Sequence, residues 1–103
     1  MERIQKIKDF LERSPEDSFL QHALALEYIK VGDDMSAKTL FELLLKREPG
    51  YIGSYYHLAK LLERNAQPEE AIKVYEKGMG EAKKAGDDHS FSELRSAYEE
   101  LIY

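Results

Sequence analysis

The chain is 103 residues long, 43% apolar and 34% charged, with three Pro, six Gly and no Cys. Collagen-like and disulfide-scaffold chains are excluded, and seven Tyr and four Phe give it the material for one modest core rather than a disordered tail. The net charge of −5 is spread evenly, residues 1–51 holding 8 basic and 10 acidic side chains and residues 52–103 holding 7 and 10, which argues against nucleic acid or anionic lipid as a partner.

The predicted elements, in chain order, are all helical, because apolar residues recur at three- and four-residue spacing and no segment alternates with period two. Ile4, Ile7, Phe10 and Leu11 mark a first helix. Charges break it every two or three residues, so it does not read as a secretory signal. Ser14-Pro15-Glu16-Asp17 then offers an N-cap hydroxyl, a proline suited to the first helical position and acids for the positive end of the dipole. Leu20, Leu24, Ala25, Tyr28 and Ile29 form the second stripe. Gly32-Asp33-Asp34 ends it and caps a third helix, marked by Ala37, Leu40, Phe41, Leu44 and Leu45 and stopped by Pro49-Gly50.

Tyr55, Leu58, Ala59 and Leu62 mark the fourth helix. Gln67-Pro68-Glu69-Glu70 starts the fifth, with Ala71, Ile72, Val74, Tyr75 and Met79, and Gly86-Asp87-Asp88 separates it from a sixth with Phe91, Leu94, Ala97, Tyr98 and Leu101. Six helices of about 11–18 residues result, joined by connections short enough to make neighbours antiparallel. Runs such as Leu43-Leu44-Leu45 are far too short to span a bilayer. Together with the absence of cysteine, this gives the expectation of a soluble cytoplasmic protein with no membrane partner.

The breaks recur. Pro15 and Pro49, Asp34 and Pro68, Leu24 and Leu58, Ala25 and Ala59, Ala37 and Ala71, and Phe41 and Tyr75 are each 34 residues apart. Only four identities relate 18–51 to 52–85, but small residues fall on small and large apolar on large. An ordinary helical bundle would leave these matches as coincidence.

This register resembles that of the tetratricopeptide repeat, a helix–turn–helix unit with the pattern W-x2-L-G-x2-Y, A-x3-F, P. The first repeat reads Gln21-x2-Leu24-Ala25-x2-Tyr28, Ala37-x3-Phe41 and Pro49; the second reads Tyr55-x2-Leu58-Ala59-x2-Leu62 and Ala71-x3-Tyr75. A third begins at Phe91-x2-Leu94-Arg95-x2-Tyr98, and Arg3, Ile7, Phe10 and Pro15 occupy the second-helix positions of a preceding one. The resemblance implies a single all-α domain, a right-handed superhelix of antiparallel helix pairs, with residues 1–14 as a half repeat, 18–51 and 52–85 as full repeats and 88–103 as a capping helix. Ala25, Ala37, Ala59 and Ala71 then sit where backbones approach closely, and Tyr28, Phe41, Tyr55 and Tyr75 fill the space between helices. Gly78 falls at another close approach, whereas Gly80 predicts a bend or fraying. Two departures stand out: Gln21 replaces the usual aromatic, and Lys83 replaces the usual proline, which lets the fifth helix run on to about Ala85.

The family commonly binds an extended peptide or helix of a partner protein in its concave groove, which the first helix of each repeat lines. Carried over, the groove positions are Phe19, His22, Leu26 and Ile29, then Tyr56, Lys60, Glu63 and Arg64, and finally His89, Ser92, Ser96 and Glu99. One end is apolar and the other polar. The positions that clamp a terminal carboxylate in some members hold His22 and Leu26 here, and the groove has no asparagine, so a chaperone-tail clamp is not expected.

Chemistry is sparse elsewhere. His22, His57 and His89 belong to no ligand-spaced motif, so no metal or cofactor is expected. Neither a nucleophile elbow nor a phosphate-binding glycine loop occurs, so the chain does not read as an enzyme. The expected function is a partner-binding scaffold. The alternative is homo-oligomeric self-assembly through the terminal helices, using Ile4, Ile7, Phe91 and Ile102; the polar residues interleaved with them favour a monomer over a homodimer.

Overall fold

A computed structural model describes residues 2–103. The described residues form six helices and no strand: α1 (Glu2–Arg13), α2 (Ser18–Lys30), α3 (Asp34–Arg47), α4 (Gly53–Arg64), α5 (Pro68–Ala85) and α6 (Asp88–Ile102). They fall into two compact units divided between Glu48 and Pro49.

The helix ends follow local chemistry. Asp33 and Asp87 each accept from the backbone N–H and the hydroxyl of a serine three residues on, Ser36 and Ser90, which satisfies donors the helix itself leaves unpaired. Pro68 takes the first turn of α5 as expected. The start of α2 differs from expectation. Ser14 does not cap it and Pro15 lies in the preceding turn; Asp17 is the N-cap, its carboxylate accepting from the Leu20 N–H at 3.0 Å. A carboxylate outcompetes a hydroxyl there because it also meets the positive end of the helix dipole.

In the first unit, Ile4 and Ile7 of α1 are buried against Leu24 of α2, with Leu11, Leu20, Ala23, Tyr28 and Leu40 packed around them. Ile4 and Ile7 are therefore core residues and do not present the docking face suggested for them. α2 and α3 run antiparallel: Arg47 at the end of α3 donates to the Glu16 carbonyl, the Ser18 hydroxyl and the Gln21 side chain at the start of α2. Ala25 and Ala37 have no exposed surface, and neither has Phe41, whose burial stabilises the fold by about 2–3 kcal/mol. Tyr28 is only half-buried, with the Lys8 ammonium 5.8 Å from its ring centroid.

In the second unit, α5 packs against both α4 and α6. Ala59, Ala71 and Tyr75 are fully buried and Tyr55 is nearly so. α5 runs unbroken to Ala85, through Gly80 as well as Lys83. Gly78 is buried at a close crossing: a Cβ built there would fall 2.7 Å from the Tyr55 Cβ and 3.1 Å from the Leu94 Cδ1. The Gly78 backbone can lie directly against the Tyr55 and Leu94 side chains, from α4 and α6, because it lacks a side chain of its own.

The repeat register carries over into polar contacts. The Tyr55 hydroxyl donates to the carbonyl of Pro49, six residues back, and Gln21 donates from Nε2 to the carbonyl of Pro15, also six residues back, at 3.1 Å. Gln21 thus makes the bond of the aromatic it replaces, and Arg47 completes the substitution. Burial, and then the Glu81 carboxylate, push the Tyr55 phenol up to about 12. Glu81 lies 34 residues after Arg47, so one site in the repeat holds a cation beside an amide in the first unit and a carboxylate beside a phenol in the second.

Candidate partner-binding faces

α2 carries the apolar face. At 100° per residue, Phe19, His22, Leu26 and Ile29 lie within an arc of about 80°, on the side turned away from Leu20 and Leu24. Phe19 is 69% exposed and the other three are partly buried. His22 is not a bare surface imidazole: its ring meets the edge of buried Phe41, with centroids 5.7 Å apart. On α2 the Glu27 carboxylate is shared by two cations, Arg3 at 3.3 Å and Lys30 at 3.4 Å, which leaves the group with a net positive charge.

α4 carries a polar and aromatic face. The Lys60 ammonium stands 5.7 Å from the Tyr56 ring centroid and 3.7 Å from the Glu63 carboxylate. Glu63 also accepts from the hydroxyl of Tyr75, which is fully buried on α5. Burial, with Glu63 second, holds the Tyr75 phenol far above its usual range. It therefore stays a neutral donor, and the carboxylate it fixes holds the lysine in turn. Arg64 is exposed one turn beyond Lys60.

α6 contributes exposed Ser92, Ser96 and His89, while Glu99 is tied to Arg95 at 3.1 Å. It faces α4 closely enough for Glu93 to act on His57; burial lowers the His57 pKa and the Glu93 carboxylate opposes that shift. Tyr56 and Glu100 similarly bear on Tyr75. The structure thus brings Tyr56, Lys60 and Glu63 into one contact chain, and leaves Ser92 and Ser96 on the surface with no such tie.

The Tyr75–Glu63 bond was not among the sequence expectations. Tyr75 read as core and Glu63 as groove, and the two lie 12 residues apart on different helices. Among the described residues, no three His, Asp or Glu side chains gather as metal ligands, and no helix is long and apolar enough to cross a membrane.

Residues 52–84 match a family model described as tetratricopeptide repeat. The solution NMR structure of a tetratricopeptide repeat domain protein from Salinibacter ruber is similar at 40% identity and a TM-score of 0.81, over 84% of this chain and 88% of that one. A crystal structure of a tetratricopeptide repeat domain protein from the same organism is similar at 38% identity and a TM-score of 0.80, over 84% and 96%. A solution structure of a protein from Bordetella parapertussis shares the fold at 20% identity, with a TM-score of 0.83 over 96% and 86%. No curated protein matches the chain.

Proposed function

The chain belongs to the tetratricopeptide repeat family, whose fold generally mediates protein–protein interaction, and from that premise we propose that it binds a peptide or helix of a partner protein through the first-helix faces of its repeats. The repeats we assign are residues 18–51 and 52–85, flanked by a half repeat at 1–14 and a capping helix at 88–103. The contact faces are Phe19, His22, Leu26 and Ile29 on α2, Tyr56, Lys60, Glu63 and Arg64 on α4, and Ser92 and Ser96 on α6.

The observation that carries this reading is the ordering of the α4 face. A lysine held by both an aromatic ring and a carboxylate, which is itself fixed by a buried phenol, has already lost side-chain freedom that binding would otherwise remove. Solvated surface lysines have no such support. The reading further takes the protein to be a monomeric cytoplasmic adaptor rather than an enzyme, in keeping with a family that is typically a non-enzymatic scaffold.

The test begins with affinity capture from the native cell to identify a partner, followed by titration of that partner against variants. Tyr56→Ala and Lys60→Glu are expected to weaken binding about tenfold or more while helix content and melting stay close to the parent. Full affinity in both variants would overturn the assignment of the α4 face.

A further inference from the structure

We propose that α1 carries a contact surface separate from the first-helix faces, and that it holds an extended acidic segment of a partner protein, one that presents two carboxylate side chains with an apolar side chain between them. The proposal does not depend on the α2 and α4 faces.

α1 divides lengthwise into three sectors. Ile4, Ile7 and Leu11 fall together on the side packed against α2. At 100° per residue, Glu2, Gln5, Asp9 and Glu12 occupy one flank and Arg3, Lys6, Phe10 and Arg13 the other, each within an arc of about 80°. All of these flank residues are exposed. The acids and bases of α1 are therefore segregated rather than mixed, and the basic flank includes an aromatic ring that is 56% exposed at Phe10.

The basic flank continues onto α2. The Glu27 side chain is only 13% exposed, and its carboxylate meets both the Arg3 guanidinium and the Lys30 ammonium, each more than two-thirds exposed. Arg3, Lys6, Arg13 and Lys30 thus stand against one carboxylate, in a chain whose net charge is −5. Lys6 and Arg13 form no ion pair among the described residues, although Glu2 and Asp9 each lie four residues before one of them. Asp9 instead accepts from the Gln5 side chain at 3.0 Å. Two cations are held in place by a nearly buried acid, which lowers the ordering cost of binding, and two more are available to a ligand.

Chemistry and spacing select the occupant. A guanidinium takes a carboxylate through two parallel N–H bonds, and the Phe10 ring offers an apolar contact between the cations. Arg13 lies about 15 Å along α1 from Arg3 and about 10 Å from Lys6. Side chains at i and i+4 of an extended segment are about 13 Å apart, with i+2 between them on the same side. A segment of this composition buries too little apolar surface to fold alone, so it arrives extended. A bilayer is a poorer occupant, because the apolar side of α1 is packed against α2 and has nothing to insert. A long polyanion such as RNA would also meet the acidic flank of the same helix.

The experiment uses the full-length chain and labelled synthetic peptides of Gly and Ser that carry glutamate at i and i+4 and leucine at i+2, titrated by fluorescence anisotropy. Binding is expected, with a several-fold loss as salt is raised. The double variant Lys6→Gln, Arg13→Gln should weaken it about fivefold or more; both side chains are exposed and unpaired, so the fold is left intact, as far-UV circular dichroism verifies. Phe10→Ser, or serine in place of the peptide leucine, should also weaken it. Lys60→Glu on α4 and Lys77→Glu on α5 should not. Peptides with lysine for glutamate that bind as well, or no binding of the acidic peptides at millimolar concentration, would overturn the proposal. So would an equal loss in Lys77→Glu, which would trace the effect to the charge of the whole chain, or an equal loss in Lys60→Glu alone, which would place the peptide on α4. Phosphatidylserine vesicles or poly-uridylate that bind more tightly than the peptides, and lose that binding in the double variant, would assign the flank to lipid or nucleic acid and refute the acidic-segment reading.

Discussion

Two glycines two residues apart on one helix should respond oppositely to the same substitution. Both Gly78 and Gly80 lie inside α5, where Gly→Ala ordinarily stabilises a helix by about 1 kcal/mol. At Gly80 nothing lies within 4 Å of an added Cβ, so Gly80→Ala should realise most of that gain. At Gly78 the added methyl would sit 2.7 Å from the Tyr55 Cβ, 2.9 Å from its Cγ and 3.1 Å from the Leu94 Cδ1, against a comfortable carbon–carbon separation of about 3.5–4.0 Å. Little there can yield. The two Tyr55 atoms are the base of the side chain rather than its flexible end, Tyr55 is 2% exposed and its hydroxyl is tied to the Pro49 carbonyl, and Leu94 is 1% exposed. α5 must move away from α4 and α6, and overpacking of this kind costs about 1–3 kcal/mol. Gly78→Ala should therefore come out net destabilising, by about 1–2 kcal/mol at the upper end of that range. Urea unfolding followed by far-UV circular dichroism reads both variants, and each kcal/mol corresponds to about 4–8 °C in melting temperature for a domain of this size. If Gly78→Ala were as stabilising as Gly80→Ala, the close crossing of α4, α5 and α6 would be refuted.

The turn between α4 and α5 holds Ala66 at φ +60, at the repeat position that Gly32 occupies at φ +83 in the first unit; Ala66→Gly is expected to raise stability by about 0.5–1 kcal/mol in urea melts, by removing a left-handed alanine. Asp33→Ala should cost about 1 kcal/mol by the same measurement, because it strips the N-cap of α3. The Tyr55 phenol, pushed up to about 12, binds its proton more tightly folded than unfolded, so its contribution is complete below about pH 10 and is lost as pH rises toward 12. Tyr55→Phe should remove roughly 2–3 kcal/mol of that alkaline loss in a pH series of unfolding curves, leaving the part due to Tyr75. His57 has the opposite sense. Its pKa is lowered, so stability is complete above its unfolded value of about 6.5 and falls as the solution is acidified below it; His57→Gln should flatten that portion of the profile.

Most of the fold was legible because its causes are local. Apolar spacing located the six stripes, and the Gly32-Asp33 and Gly86-Asp87 pairs fixed two boundaries through a left-handed glycine and a capping carboxylate. The start of α2 was misplaced for a local reason too. Ser14-Pro15-Glu16 carries the same proline-then-acid signature as Gln67-Pro68-Glu69, and only the stronger cap at Asp17 decides that the helix begins later. Ala66 gave no signal, since alanine has no preference for positive φ. The faces of α2 and α4 were legible as positions, but what holds their side chains was not. Gln21 stood out only as a missing aromatic, and its function as a hydrogen-bonding substitute depends on Arg47, 26 residues away.

That dependence bears on how the two faces differ. In the second unit the repeat's aromatic positions are filled by Tyr55 and Tyr75, and Tyr75 passes the rigidity of the core outward through Glu63 to Lys60. In the first unit the corresponding positions hold Gln21 and Phe41. Phe41 has no hydroxyl, and thirty-four residues before Glu63 stands Ile29, so the phenol–carboxylate link of the second unit has no counterpart at these two positions. The same exchange of a phenol and a carboxylate for two hydrocarbons makes the first face apolar and the second charged. Tyr75→Phe should therefore leave Glu63 and Lys60 in place but release them. A partner held by Lys60 should lose affinity in a titration against this variant, whereas a ligand seated on Phe19 and Leu26 should bind as before. Equal losses for both ligands would mean that the substitution had disturbed the whole chain rather than the one link.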